Sequence, residues 1–287
     1  MNFFRFTISF VLASLLAGYS CSSTKKIARQ DYVDAQYECI WSVKFINDTI
    51  EMTQGTEDRF ILQIGADFSY GYSYLYFKMD SLITARTLGE KIRESYNNGT
   101  WSSFFSGDIM YAKLYRDYKS KKLSVIDNIS TYWFMYEENL SPQNWSILNE
   151  IKTIAGYSCQ KAICDWRGRS YEAWFTTEIP ISEGPWKFFG LPGLIVKLHD
   201  TQHHYEFELV EFKNSNGKID LQPLEKEEIT ILIGRTAKLT KIERKKFLGM
   251  KFGKQASLIA QADMAKVGLQ NDEPVKSKYG YIELDYK

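Results

Sequence analysis

The sequence predicts a mainly β fold: an antiparallel sheet that extends as far as a half-barrel and carries a few covering helices (α+β). Three observations lead there. Apolar and polar residues alternate with a period of two, most clearly Tyr37, Cys39, Trp41, Val43 and Phe45 against Glu38, Ser42 and Lys44. The chain holds 19 Tyr and 18 Phe, residue types that suit a half-buried pleated surface. Turn signals separate the candidate strands at short intervals.

The elements follow in order. Residues 37–45 form the first strand and 60–64 the second. Leu82, Ala85, Leu88, Ile92 and Tyr96 then recur at helical spacing and Asn98-Gly99 supplies a stop, which predicts a helix over 82–96. Strands are expected at 109–117, 122–129 and 131–137, and a continuous antiparallel meander is the simplest connection. Segments 157–166 and 170–176 pair through Arg167-Gly168-Arg169, a hairpin turn in which Gly168 supplies a positive φ. Segments 194–198 and 205–212 form the next pair, around a turn at 200–203. A buried strand is expected at 228–233, and Thr240 followed by Glu243 reads as a capping box that opens a helix. No internal repeat is evident. Residues 31–287 are read as one domain, preceded by a linker at 21–30.

Residues 1–20 read as a secretory signal: Arg5 precedes an apolar run from Phe6 to Ala17, and small residues close it. The run is shorter than the about 20 apolar residues that span a bilayer. Two processing outcomes stay open. Cys21 stands where a lipid-bearing cysteine would follow cleavage, although Gly18 occupies the position a lipobox gives to Leu and Tyr19 is bulky. Ordinary cleavage after Ser20 would use Gly18 and Ser20 as the small residues. The expected location is outside the cytoplasm, periplasmic or lipid-anchored in the outer membrane. The 36 basic and 35 acidic residues balance, which argues against a nucleic-acid partner.

An oxidising compartment makes a disulfide plausible among Cys39, Cys159 and Cys164. On one unbroken strand Cys159 and Cys164 would lie roughly 17 Å apart, beyond the ~7 Å a bridge tolerates. A bridge from Cys39 to one of them and three buried free thiols remain the two readings.

The densest sequence pattern is Gly184-Pro-Trp-Lys-Phe-Phe-Gly-Leu-Pro-Gly-Leu-Ile195. Pro192 lacks an N–H and fixes φ, while Gly190 and Gly193 can adopt backbone angles closed to other residues, so the first reading is a chain-turning device. The functional reading is a cleft in which Trp186, Phe188, Phe189 and Leu191 meet an apolar ligand. The string Gly190-Leu191-Pro192-Gly193-Leu194-Ile195 stands with Tyr157–Ala162, Arg167-Gly-Arg169, Ala173-Trp-Phe-Thr176 and Glu178-Ile-Pro-Ile181. Together they resemble the GLPGLI family of exported proteins from the Bacteroides group. That resemblance is densest over 144–200 and implies an extracytoplasmic, signal-bearing protein without implying a reaction.

Other chemistry is thinner. Arg167 and Arg169 suit a carboxylate or phosphate, or else pair with Glu172 or Glu178. His199, His203 and His204 cluster at one turn, and imidazoles ligate zinc or copper, yet no spaced cysteine or carboxylate set completes a site. No cofactor is expected. Seven basic residues between Lys238 and Lys254 read as a solvated helix face or, with Leu239, Ile242, Phe247 and Phe252, as a membrane-surface helix. No nucleophile motif or phosphate loop is present. The expected function is a non-enzymatic envelope protein that binds an apolar ligand or serves an outer-membrane assembly. An uncharacterised envelope hydrolase and a metal-handling protein are the alternatives.

Overall fold

The computed structural model describes residues 31–46, 55–75, 77, 112–129, 132–231, 235–252 and 282–285, all within the compact unit Asp31–Lys287. The predicted signal, linker, Cys21 and helix over 82–96 lie outside the described residues. Fourteen strands are described: β1 (Tyr32–Ile46), β2 (Gly55–Gly65), β3 (Phe68–Ser73), β4 (Lys113–Asp117), β5 (Lys122–Ile129), β6 (Tyr132–Asn139), β7 (Ser146–Ile154), β8 (Tyr157–Trp166), β9 (Arg169–Thr176), β10 (Leu194–Asp200), β11 (Tyr205–Asn214), β12 (Lys218–Asp220), β13 (Glu228–Ile231) and β14 (Arg235–Lys241). Two helices have both ends among the described residues, α1 (Gln222–Glu225) and α2 (Arg244–Phe252).

The strands form one open sheet in the order β13-β14-β6-β5-β4-β3-β2-β1-β11-β10-β9-β8-β7, with β12 beside the start of β1. The expected single meander is therefore two, β1–β6 and β7–β11, joined where β1 pairs antiparallel with β11. One pairing is parallel, β14 with β6. Two-residue turns make the sharp hairpins: Ala155-Gly156 (φ 51° and 85°) joins β7 to β8, and Arg167-Gly168 (φ 49° and 82°) joins β8 to β9. Positive φ at both central positions matches the twist of the flanking strands.

The period-two pattern of β1 decides its faces. Cys39, Trp41, Val43 and Phe45 are buried while Glu38, Ser42 and Lys44 between them are not fully so. The main core gathers on that face with Phe60, Leu62, Leu114, Val125, Tyr136, Phe175, Trp186, Phe188 and Phe207. A smaller cluster, including Tyr115, Ile126, Trp133, Met135, Ile219, Leu221, Ile229 and Leu239, packs β12, β13 and β14 near β4–β6.

The sheet is strongly curled. Nine steps of the strand order separate β6 from β8, which along a flat ladder of ~4.8 Å spacing is roughly 43 Å. Nevertheless Arg167, at the end of β8, bonds the carboxylate of Glu138 in β6.

One expectation needs correction and two open readings are decided. Thr240 does not cap a helix: it lies in β14 opposite Phe134, because Leu239, Thr240 and Lys241 extend the sheet beside β6, and α2 starts only at Arg244. The basic stretch is no membrane-surface helix in the described part, since Phe247 and Leu248 of α2 are buried in the main core. Cys39, Cys159 and Cys164 are free, buried thiols; β1 and β8 are four strands apart in the ladder, so the strands do not bring Cys39 alongside the other two. No described helix is long and apolar enough to cross a membrane.

Candidate functional site

Between β9 and β10 the chain leaves the ladder, and residues 177–193 pack against the main-core face. Each anchor is a specific bond. The Ile195 N–H donates to Glu183 O at 3.0 Å and the Leu194 N–H to Ile179 O at 3.1 Å. Trp41 Nε1 of β1 donates to Ile195 O at 2.9 Å. Gln143 binds the segment twice: its Nε2 donates to Lys187 O at 3.2 Å, and its Oε1 accepts the Phe189 N–H at 3.0 Å. Trp145 Nε1 donates to Phe189 O at 2.9 Å.

The two motif glycines serve different needs. Gly190 has φ 98°, and a Cβ there would lie 2.3 Å from Pro142 Cβ. Gly193 is not at positive φ, contrary to the expectation for both glycines. It is glycine because a Cβ would lie 2.0 Å from Thr176 O, a backbone atom of the neighbouring strand. Positive φ falls instead on Trp186, at 55°, a conformation that strains a bulky residue.

The aromatic residues read as a cleft are core. Trp186 and Phe188 have no exposed surface and Leu191 1%; only Phe189 is partly exposed. Phe188 meets Tyr171 at 4.6 Å, Trp166 at 4.8 Å and Trp145 at 6.2 Å between ring centroids. Pro192 and Gly190 lie at the surface beside them.

Two ionic clusters hold this segment. In the first, Arg116 of β4 pairs with Glu183 at 3.0 Å and donates to the Trp186 carbonyl, while the Tyr118 hydroxyl donates to Glu183. Burial raises the Glu183 carboxyl above its ordinary range, against the opposing pull of Arg116 and Tyr118. In the second, Lys187 Nζ lies 2.6 Å from Glu138 and 2.7 Å from Glu283, and 3.2 Å from the Tyr136 hydroxyl. Arg167 joins the same two carboxylates, and Arg244 of α2 joins Glu283 at 2.6 Å and also Asp285. Burial alone would raise Glu283, but Lys187, Arg167 and Arg244 overcome it and hold the carboxyl well below the usual range.

Three cations and three anions thus cancel where β6, the β8–β9 turn, α2 and residues 283–285 meet. Neither Arg167 nor Arg169 pairs with Glu172 or Glu178: the curl brings Glu138 and Glu283 to Arg167, and Asp200 of the adjacent β10 stands beside Arg169. Arg169 pairs with Asp200 at 3.0 Å and faces His204 Nδ1 at 2.9 Å. Burial lowers the pKa of His204, so its Nδ1 serves as acceptor for the guanidinium. His204 is thereby separated in role from His199 and His203, whose rings stack at 4.4 Å. Among the described residues no group of three or more His, Cys, Asp or Glu has metal-holding geometry.

An open groove of about 380 Å³ lies at the β8–β9 tip, lined by Asp165, Trp166, Arg167, Gly168, Arg169 and Ser170. Its Ser170 hydroxyl bonds Asp165. Burial pushes the Cys159 thiol up to about 11 and Cys164 to about 12, and lifts the Tyr136 and Tyr171 phenols as well. These groups stay protonated at neutral pH, the form in which a thiol is a poor nucleophile.

Arg116, Glu138, Glu183, Lys187 and Glu283 were not singled out from sequence. Glu183 and Lys187 do leave a signal there, as charges inside an otherwise apolar and Gly/Pro-rich stretch, where burial demands a partner.

A family model described as "Protein of unknown function (Porph_ging)" matches residues 167–197, from the β8–β9 turn into β10. The family is associated with Bacteroidetes, in loose agreement with the Bacteroides-group resemblance. Comparison with curated proteins gives no match. Among solved structures, PNGF-II in space group C2 is similar at 15% identity and a TM-score of 0.46, over 75% of this chain and 32% of that one. PNGF-II in space group P21 gives 14%, 0.46, 75% and 33%. The chain spans about a third of the length of these structures.

Proposed function

We propose that this chain is an exported cell-envelope protein of the GLPGLI type, acting without catalysis as a binding or accessory protein for an apolar ligand or an outer-membrane assembly. The observation that carries the reading is the filled interior: Trp186, Phe188 and Leu191 occupy the core face of the curled sheet. The charges nearest to them are engaged with one another. An interior so occupied directs a ligand to the outside of the sheet. Apolar side chains are exposed at the protein surface, among them Tyr132, Ile147, Ile151, Ile163 and Val210. Export follows from residues 1–20, and membrane attachment, where it occurs, from acylation of Cys21.

Native mass spectrometry of the protein purified from envelopes tests the reading. A co-purifying lipid or outer-membrane protein in stoichiometric amount is the expected result. A protein recovered from the cytoplasm, or one that turns over an envelope substrate with an intact active-site requirement, overturns it. The mass of the mature N-terminal peptide decides between an acylated Cys21 and plain cleavage.

A further inference from the structure

We propose that β7 is a self-association edge, where two copies of this chain pair their β7 strands antiparallel about a two-fold axis centred on Ile151. Among the described residues β7 ends the strand order, and of its nine residues only Leu148 and Ile154 are not exposed. Ile151 is 71% exposed and Ile147 47%. An unpaired edge of this kind is a template for another strand.

The register follows from the hairpin. Ile154 and Tyr157 flank the two-residue Ala155-Gly156 turn, and pairing continues through Thr153–Ser158, Lys152–Cys159 and Ile151–Gln160. The pair that closes such a turn exchanges hydrogen bonds with its own partner strand, so by alternation Ile154 and Lys152 point theirs inward. Thr153 and Ile151 then direct theirs to the open edge. Two copies centred on Ile151 therefore exchange bonds between the two Ile151 residues.

Charge selects a second copy as the occupant. In that register Glu150 of each chain faces Lys152 of the other, twice by symmetry, and the two Ile151 side chains cover one another. Opposite charges directly across a strand pair stabilise it and like charges oppose it. Glu150 also lies 3.4 Å from Lys161 of its own chain, but its carboxylate is 61% exposed and can accept a second cation. The two-fold sets residues 148–150 of one copy against 152–154 of the other, and the register irregularity between Ile147 and Ile151 falls beside that stretch, so the contact is confined to the few pairs around Ile151 and the dimer is weak, suited to chains concentrated at a membrane surface.

The test uses the exported chain carrying Cys21→Ser, purified from envelopes and studied by sedimentation over a concentration series. A monomer–dimer equilibrium is expected. Glu150→Lys or Lys152→Glu alone should weaken it by about tenfold or more. Mixing the two single variants should restore dimers, now mixed ones, because one edge is then wholly basic and the other wholly acidic. Ile151→Cys should cross-link to itself under mild oxidation, since Cα atoms of a hydrogen-bonded antiparallel pair lie about 5.5 Å apart, within disulfide reach. A chain that stays monomeric throughout, a dimer indifferent to both charge changes, or a photo-cross-linker at Ile151 that captures only a different protein would each overturn the proposal.

Discussion

Replacing Gly193 with alanine isolates the close approach of the motif segment to β9. The added Cβ would stand 2.0 Å from Thr176 O, 2.7 Å from Thr176 C and 3.1 Å from Thr177 Cα. All three are backbone atoms, so no side chain can swing aside. Relief requires β9 and β10 to part by about 1 Å or more before carbon reaches ordinary contact distance. Overpacking of that kind costs about 1–3 kcal/mol. Weakening the Leu194–Ile179 and Ile195–Glu183 bonds that depend on the same spacing adds about 1 kcal/mol each. A total of about 3–5 kcal/mol corresponds to a fall in Tm of roughly 6–20 °C for a domain of this size. Gly249→Ala is the control: nothing lies within 4 Å of its Cβ position in α2, and the helix should gain about 0.5–1 kcal/mol. Thermal unfolding followed by near-UV circular dichroism reads both. A Gly193→Ala protein that melts within about 2 °C of the parent refutes the packing argument.

Three further outcomes follow from the ionic clusters and thiols. Lys187→Met should destabilise by about 3–5 kcal/mol in denaturant titration because it leaves the buried cluster one cation short, with Glu138, Glu283 and Asp285 facing only Arg167 and Arg244. Adding Glu138→Gln should recover part of that loss, whereas simple additivity would contradict the coupling. Glu283 has a folded-state pKa held below its unfolded value. Its stabilisation is therefore fully present above the ordinary carboxylate range near pH ~4.3 and is lost as pH falls below it. The stability gap between the parent and Glu283→Gln should be constant from neutral to mildly acid pH and close below ~4.3; an unchanged gap at pH ~3 would contradict this. Cys39, Cys159 and Cys164 should react with a thiol reagent only after unfolding, and reductant should leave Tm unchanged. A reductant-sensitive Tm would restore the disulfide reading.

What could be read from sequence depended on whether the signal was local. The bounds of β5 (Lys122–Ile129) and β8 (Tyr157–Trp166) are legible because the turns that end them lie next to them in sequence. β7 escaped because an edge strand exposed on both faces shows no alternation. β14 escaped because Thr240 and Glu243 imitate a helix start, and only the neighbouring β6 makes strand pairing the better solution. The motif was legible as a chain-turning element, but the reason for Gly193 was not, since it resides in a carbonyl seventeen residues away in sequence. The second ionic cluster was illegible for a related reason. Glu138, Lys187 and Glu283 are far apart in the chain and meet only because the sheet curls.

Residues 183–195 act as an internal support of the curled sheet, with Trp186, Phe188 and Leu191 in the core. Amide hydrogen exchange across this segment, with and without phospholipid vesicles, tests it most directly. The Phe189, Leu194 and Ile195 amides, all bonded inside the protein, should exchange as slowly as those of β1 and be indifferent to lipid. Exchange as fast as in the exposed turn at 201–203, or protection that changes when vesicles are added, would contradict it.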